Sequence, residues 1–361
     1  MKKKSTKIAI LAIIILIIFL STGIGFYLYI KTPAKASYTR LREFESFAID
    51  VTQLKISTMS LEEKQGLLTM VGIPDKILSQ STIDFLKDNH IGGVVLLANN
   101  IESESQLKQL TKDLRNKVDK NLLIAIDQEG GLVTRINWDP YKSMSARDIG
   151  DSGDLELAYK IGFERGVMLL EYDINVILGP VADIAYERDS FIYERSFGSD
   201  PEKVADFVEA TVKGQREAGI ITVLKHFPGH GKTSTDSHLR LPIIDASLEE
   251  LKTSDFLPFE RGIAAGAEVI MFGHIINPQI DPDTPSSIST KYLDILMNDL
   301  SFNGVVITDD LKMSGGIDGS IGWGINLYIE STDKYSALIS RIVPEDEYLY
   351  KVVNLRNKKG M

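Results

Sequence analysis

The chain has 361 residues, 43% of them hydrophobic, a net charge of −10 and no cysteine. That length and apolar content support one large α/β domain or two smaller ones. The acidic balance, with basic residues clustered only at the two ends, excludes a nucleic-acid partner. The lack of cysteine excludes disulfides, thiolate metal sites and a lipid-modified cysteine at the N-terminus.

In chain order, Lys2, Lys3, Lys4 and Lys7 precede an almost uninterrupted apolar run from Ile8 to Ile30. As a helix that run is long enough for a hydrocarbon layer of about 30 Å. The basic end stays cytoplasmic, which places everything after Lys31 outside. Ala34-Lys35-Ala36 ahead of Ser37 has the small-x-small form of a processing site, but the run exceeds the roughly 7 to 15 apolar residues of a signal peptide. Residues 1–36 therefore read as a basic end and a single-pass anchor in the cell membrane, the protein being secreted if it is cleaved after Ala36. Residues 37–57 read as a spacer with a first helix around Phe44 to Leu54, and residues 58–361 as a single domain.

Within that domain apolar runs of strand length recur at Leu67 to Val71, Gly92 to Leu97, Leu122 to Asp127, Asn175 to Pro180, Ile221 to His226, Val269 to His274, Val305 to Asp310 and Asn326 to Glu330. Most are separated by segments of helical spacing, the pattern of parallel βα units. Asp200-Pro201-Glu202 supplies a cap, a first-turn proline and a first-turn acid, with Gly219 at the far end. Ser247 with Glu250 predicts a capping box ahead of a helix reaching about Ala265. Leu107, Leu110 and Leu114 form a core stripe. This alternation predicts a (β/α)8 barrel, with a doubly wound sheet as the alternative. The barrel is favoured because Asp127, Lys225, His226, His274 and Asp309 fall at the carboxyl ends of four predicted strands, and a closed barrel brings them to one face.

The chemistry concentrates between Ile221 and His238, where a β-branched run ends in Lys225 and His226. A Gly/Ser/Thr loop follows, carrying His230, Asp236 and His238. Asp127-Gln128-Glu129-Gly130-Gly131, followed by Arg135, places an acid at a strand end and an arginine within reach. A carboxylate and a guanidinium can grip neighbouring sugar hydroxyls, one accepting and one donating. Arg195 precedes the helix cap at Asp200, and a structural ion pair is an equally good reading of it.

Asp127 to Arg135, Arg195-Ser196-Phe197-Gly198, Lys225-His226-Phe227-Pro228-Gly229-His230-Gly231, Asp236-Ser237-His238 and Thr308-Asp309 resemble, in order and spacing, the motifs of glycoside hydrolase family 3. The likeness is to its single-barrel β-N-acetylhexosaminidase branch and covers roughly Ile56 to Asp310. It implies a TIM-like barrel acting as a retaining exo-glycosidase. Its substrate partner is a glycan, from which it removes terminal β-linked N-acetylglucosamine, as from cell-wall muropeptides or chitin-like oligomers. No cofactor is implied, and no metal, although the spacing of His226, His230 and His238 permits a zinc site. By the same resemblance Asp309 is the nucleophile, with Asp310 its rival. Strand alternation turns only one of that pair into the mouth. His238 matches a loop-borne general acid/base oriented by Asp236, and Gly229, Gly231 and Ser237 give that loop freedom to swing. Asp127, Arg135, Arg195, Lys225 and His226 match the sugar-gripping positions, and His230 and His274 are expected behind them.

Beyond Asp309 the chain departs from the family. Leu311 to Gly324 carries five glycines and little apolar periodicity, a poor helix. Ala337 to Val343, ended by Pro344, is short before a final helix over Tyr348 to Lys358. The C-terminal part of the barrel is therefore shortened. Two other functions follow as alternatives, a membrane-tethered cell-wall sugar-binding protein that has lost turnover and a β-glucosidase of the same family.

Overall fold

A computed structural model describes residues 57–237 and 240–310 of the chain, and the elements named below lie in the compact unit that begins at Met59. The expected membrane segment, spacer helix, glycine-rich stretch, eighth strand and final helix all lie outside these residues, as does His238. Among the described residues no helix is long and apolar enough to cross a membrane.

The elements alternate. Helix α1 (Leu61–Leu67) is followed by β1 (Met70–Gly72), α2 (Gln80–Asp88), β2 (Gly93–Leu96), α3 (Glu104–Lys117) and β3 (Leu123–Ile126). Then come α4 (Ala146–Ser152), α5 (Leu155–Glu171), β4 (Val176–Ile177), α6 (Pro201–Ala218) and β5 (Ile221–Phe227). The series ends with α7 (Leu248–Thr253), α8 (Leu257–Ala264), β6 (Val269–Phe272), α9 (Thr290–Asp294) and β7 (Val305–Thr308). The seven strands form one sheet in chain order, every neighbouring pair parallel.

Both faces of the sheet are apolar, as helices on one side and a packed interior on the other require. In β2, β3 and β6 alternate residues divide cleanly. Val95, Leu123, Ala125, Val269 and Met271 join Val176, Val223 and Val305 in one inner cluster. Val94, Leu96, Ile124 and Ile126 pack outward on Ile83 and Leu86 of α2 and Leu107, Leu110 and Leu114 of α3. Leu224, Phe227, Ile270 and Phe272 pack outward on Val204, Phe207 and Val208 of α6 and on Phe256, Phe259 and Tyr292. Because the inner cluster joins residues of β2 through β7, the sheet is curled on itself.

Start signals written in the sequence set the helices. Asp200 caps α6 with Pro201 in the first turn, and Gly219 closes it in the left-handed conformation. The Ser247–Glu250 capping box forms as predicted. Two expectations need correction. The first strand begins at Met70 rather than Leu67, because Ser60 and Glu63 form a capping box that carries α1 through Leu67. The helix expected to run from Ser247 to about Ala265 is broken at Ser254, Asp255 and Phe256, and α8 restarts there with no side-chain cap.

Candidate active site

The carboxyl ends of the strands open into one cavity, bordered by Gly72 of β1, Val95 of β2, Asp127 after β3, Leu178 after β4, Lys225 and His226 of β5, Met271 of β6 and Asp309 after β7. Arg135, Phe191, Arg195, Ser237 and Asp310 also line it, with Leu97 and Val133. Within β5 the register slips between Leu224 and Phe227. A bulge of this kind re-aims side chains, and the consecutive residues Lys225 and His226 both reach the cavity.

Its charged wall is an alternating chain. Lys225 Nζ lies 2.6 Å from Asp127 Oδ1 and 2.7 Å from Glu129 Oε1. Arg195 grips Glu129 with both prongs of its guanidinium, Nε to Oε2 at 2.9 Å and Nη2 to Oε1 at 2.8 Å. Arg135 Nη2 stands 3.8 Å from Asp127 Oδ2. Burial opposes the charge on Glu129, but Arg195 and Lys225 overcome it and hold the carboxyl far below its usual range. Burial likewise works against the Lys225 ammonium, and Asp127 and Glu129 more than offset it. All of these except Glu129 border the cavity; Glu129 stands behind them as the shared counter-ion. Arg195 thus makes the ion pair and also stands on the cavity wall.

A second unit is centred on Asp183, which the sequence reading missed. Its Oδ2 lies 2.7 Å from His226 Nδ1, and its Oδ1 accepts the backbone N–H groups of His226 at 3.2 Å and His230 at 2.8 Å. Burial raises the proton affinity of Asp183, but His226 and these hydrogen bonds outweigh it and keep the group ionised. An ionised carboxylate only accepts, so Nδ1 carries the hydrogen and Nε2 faces the cavity. Nε2 stands 4.0 Å from Asp309 Oδ2 and 3.5 Å from Arg195 Nη2. We expect Asp183→Asn to release the imidazole from this orientation and lower kcat/KM by about 10²-fold, the scale of a displacement of about 1 Å in a positioned group. Kinetics beside a thermal melt check this, since a purely structural role would lower the melting midpoint and spare kcat/KM of the folded fraction.

Asp309 follows the last residue of β7, and its backbone N–H donates to Phe272 at 2.8 Å. Burial would raise its pKa, but His226, His274, the Asp310 N–H and Lys225 leave the carboxyl below its ordinary value. The alternation expected for Asp309 and Asp310 does not apply, because β7 ends at Thr308 and both residues border the cavity. They differ in their hydrogen bonds instead: the Asp310 N–H donates to Asp309 Oδ1 at 2.8 Å. Its carbonyl lies 3.0 Å from His274 Nε2, and His274 Nδ1 lies 2.7 Å from Ser287 Oγ. His274 thus braces the Asp309 turn from behind, as expected. Among the described residues no group of His, Asp and Glu is placed to hold a metal ion.

Residues 60–321 match the model of the glycosyl hydrolase family 3 N-terminal domain. The chain belongs to glycosyl hydrolase family 3. It is 33% identical over 264 residues to a β-hexosaminidase of Xylella fastidiosa (strain M23), a match covering 71% of this chain and 78% of that protein. Its structure superposes on the family 3 β-N-acetylglucosaminidase of Paenibacillus sp. str. FPU-7 with a TM-score of 0.75 at 28% identity, covering 83% of this chain. The chain spans 63% of that longer protein. NagZ of Neisseria gonorrhoeae, solved in complex with N-trifluoroacetyl-D-glucosamine, gives a TM-score of 0.68 at 29% identity, covering 80% of this chain and 89% of that one.

Of the predicted site residues, the structure of this family 3 hydrolase brings Asp127, Arg135, Arg195, Lys225, His226 and Asp309 to one cavity. Asp236 lies one residue before Ser237, which lines the cavity, and its carbonyl accepts the Arg240 N–H at 3.1 Å. The loop glycines do more than loosen the chain. A Cβ on Gly231 would stand 1.5 Å from the Ile184 carbonyl oxygen, so glycine is what lets the turn after β5 lie against that segment. His230, between them, is buried against Phe191 with ring centroids 4.5 Å apart, and burial pushes its pKa down to about 4.

Proposed function

We propose that this chain is a retaining exo-acting β-N-acetylglucosaminidase that cleaves terminal N-acetylglucosamine from cell-wall muropeptides or chitin-like oligosaccharides. The observation that carries the reading is Asp309, an ionised carboxylate at the cavity wall that faces His226 Nε2 and is backed by the Asp310 N–H. Attack by Asp309 on the anomeric carbon breaks the glycosidic bond and forms a covalent glycosyl-enzyme, which water then opens with net retention. Asp127, Arg135, Arg195, Lys225 and His226 hold the ring hydroxyls, hydrogen bonds that strengthen as the ring flattens toward an oxocarbenium ion. His238 gives its proton to the leaving oxygen, with Asp236 stabilising the imidazolium. The relatives named as β-hexosaminidase and β-N-acetylglucosaminidase support the sugar assignment. The same proposal closes the curled sheet as a (β/α)8 barrel with an eighth strand at Asn326 to Glu330. It places the domain, residues 58–361, outside the cell on the anchor formed by residues 8 to 30.

Hydrolysis of an aryl N-acetyl-β-glucosaminide beside the matching aryl β-glucoside by the full chain tests the proposal. Release from the N-acetyl substrate alone is the expected result. Preference for the glucoside would make it a glucosidase, and sugar binding without release from either would make it a tethered wall-binding protein.

A further inference from the structure

The break between α7 and α8 buries a carboxylate beneath the loop that follows β5. Asp255 is 1% exposed. Its Oδ2 lies 3.2 Å from Lys232 Nζ, 3.3 Å from the Tyr186 hydroxyl and 2.7 Å from Ser254 Oγ. Oδ1 is buried with no partner. The Lys232 ammonium also sits 4.5 Å above the Tyr186 ring. Just upstream, Gly229 has φ of +119°, and a Cβ there would stand 2.9 Å from Asp255 Cβ. Three residues before the lysine, then, the turn is already pressed on Asp255, and at Gly231 it is pressed on Ile184. Lys232 is the last residue of this clamped stretch, and Ser237, on the cavity wall, is five positions further on.

A buried carboxylate with one oxygen unpaired does not strengthen a fold. Leaving a buried acceptor unsatisfied costs stability, and burial raises the Asp255 pKa despite the nearby lysine. The arrangement calls for a purpose other than stability, and sites that trade stability for function have this character. We propose that Asp255, acting through Lys232 and roofed by Tyr186, is a positioning residue that fixes the root of the loop running from Lys232 to the cavity wall, and with it the delivery of the leaving-group proton. The inference rests on the reading above in which that loop carries the general acid. Freed of its ion pair, the root shifts by an ångström or so, and only the step that needs proton donation suffers.

The test compares Asp255→Asn, Lys232→Met and Lys232→Arg in the full chain on two substrates. One is 4-nitrophenyl N-acetyl-β-glucosaminide, whose leaving group departs as a stable anion; the other is N,N′-diacetylchitobiose, whose leaving sugar needs a proton. Asp255→Asn and Lys232→Met are each expected to lower kcat/KM on the disaccharide by about 10²-fold and on the aryl substrate by less than about 3-fold. Lys232→Arg restores most of the disaccharide activity, and the melting midpoint of Asp255→Asn is no lower than that of the wild type. Equal losses on both substrates, or none on either, would overturn this Asp255–Lys232 latch on the loop root. His238→Ala run alongside separates the two failures. If it shows the disaccharide-selective defect and the latch variants do not, the latch alone is wrong; if it shows no selectivity, the acid assignment fails and the latch falls with it.

Discussion

Asp309→Asn is expected to lower turnover of the aryl N-acetyl-β-glucosaminide by at least about 10⁴-fold, or about 5 kcal/mol in the barrier. The amide keeps the size and leaves the Asp310 N–H with an oxygen to bond, so the fold should be retained. What it loses is the electron pair that bonds to the anomeric carbon, and with it the covalent intermediate on which the two-step route depends. Activity near wild type would remove Asp309 from the mechanism. Because both members of the Asp309–Asp310 pair border the cavity, the rival must be tested in the same way. Asp310 contributes its backbone N–H to Asp309 and its carbonyl to His274, contacts that survive Asp310→Asn, so that variant should keep most of its turnover. The pH dependence follows from the same surroundings. With its folded pKa below the ordinary 3.8, the proposed nucleophile stays ionised as the solution is acidified. The acid limb of kcat/KM on the activated substrate should therefore lie below that value wherever the protein remains folded.

Much of this site was legible in the sequence because its parts sit at strand ends, where periodicity and punctuation are strongest. Lys225 and His226 end a β-branched run, Asp127 ends another, and Asp309 ends a third; once parallel order is granted, their convergence follows. The groups that were missed act from behind. Asp183 stands in a segment with no regular structure, and nothing in its neighbours distinguishes it from a loop aspartate until β5 is placed beside it. Glu129 did carry a signal, lying two residues after Asp127 in a stretch already singled out, but spacing alone gives no sign that two cations share it. The helix break at Ser254 to Phe256 was hidden for a related reason. The capping box and the apolar spacing argue for one continuous helix, whereas the burial of both Leu251 and Phe256 in the outer core sets the register on each side and turns Asp255 inward. Alternation misled at Asp309 because the rule holds only while the strand continues.

Glu129→Gln is the substitution expected to cost the most stability outside the hydrophobic core. Glu129 is the common partner of Arg195 and Lys225; removing its charge leaves the Arg195 guanidinium without a carboxylate and Lys225 with Asp127 alone. Breaking a buried pair from one side costs about 3–5 kcal/mol, because the charge left behind is uncompensated. Chemical denaturation should show a loss of that size, and the ΔG curve should change shape with pH. The folded pKa of Glu129 lies below its ordinary value of 4.5, so its contribution is fully present above that value and is lost as the pH falls through it toward the folded pKa. The wild type should accordingly lose stability on acidification over this range, and the variant should lose less. Activity should fall as well, although Glu129 does not border the cavity, since Arg195 and Lys225 then lack the anchor that holds them on the cavity wall, where the proposed function has them grip the sugar. A variant that melts like the wild type and shows the same acid slope would mean that Asp127 and solvent compensate the two cations, and that Glu129 is not the centre of the charged wall.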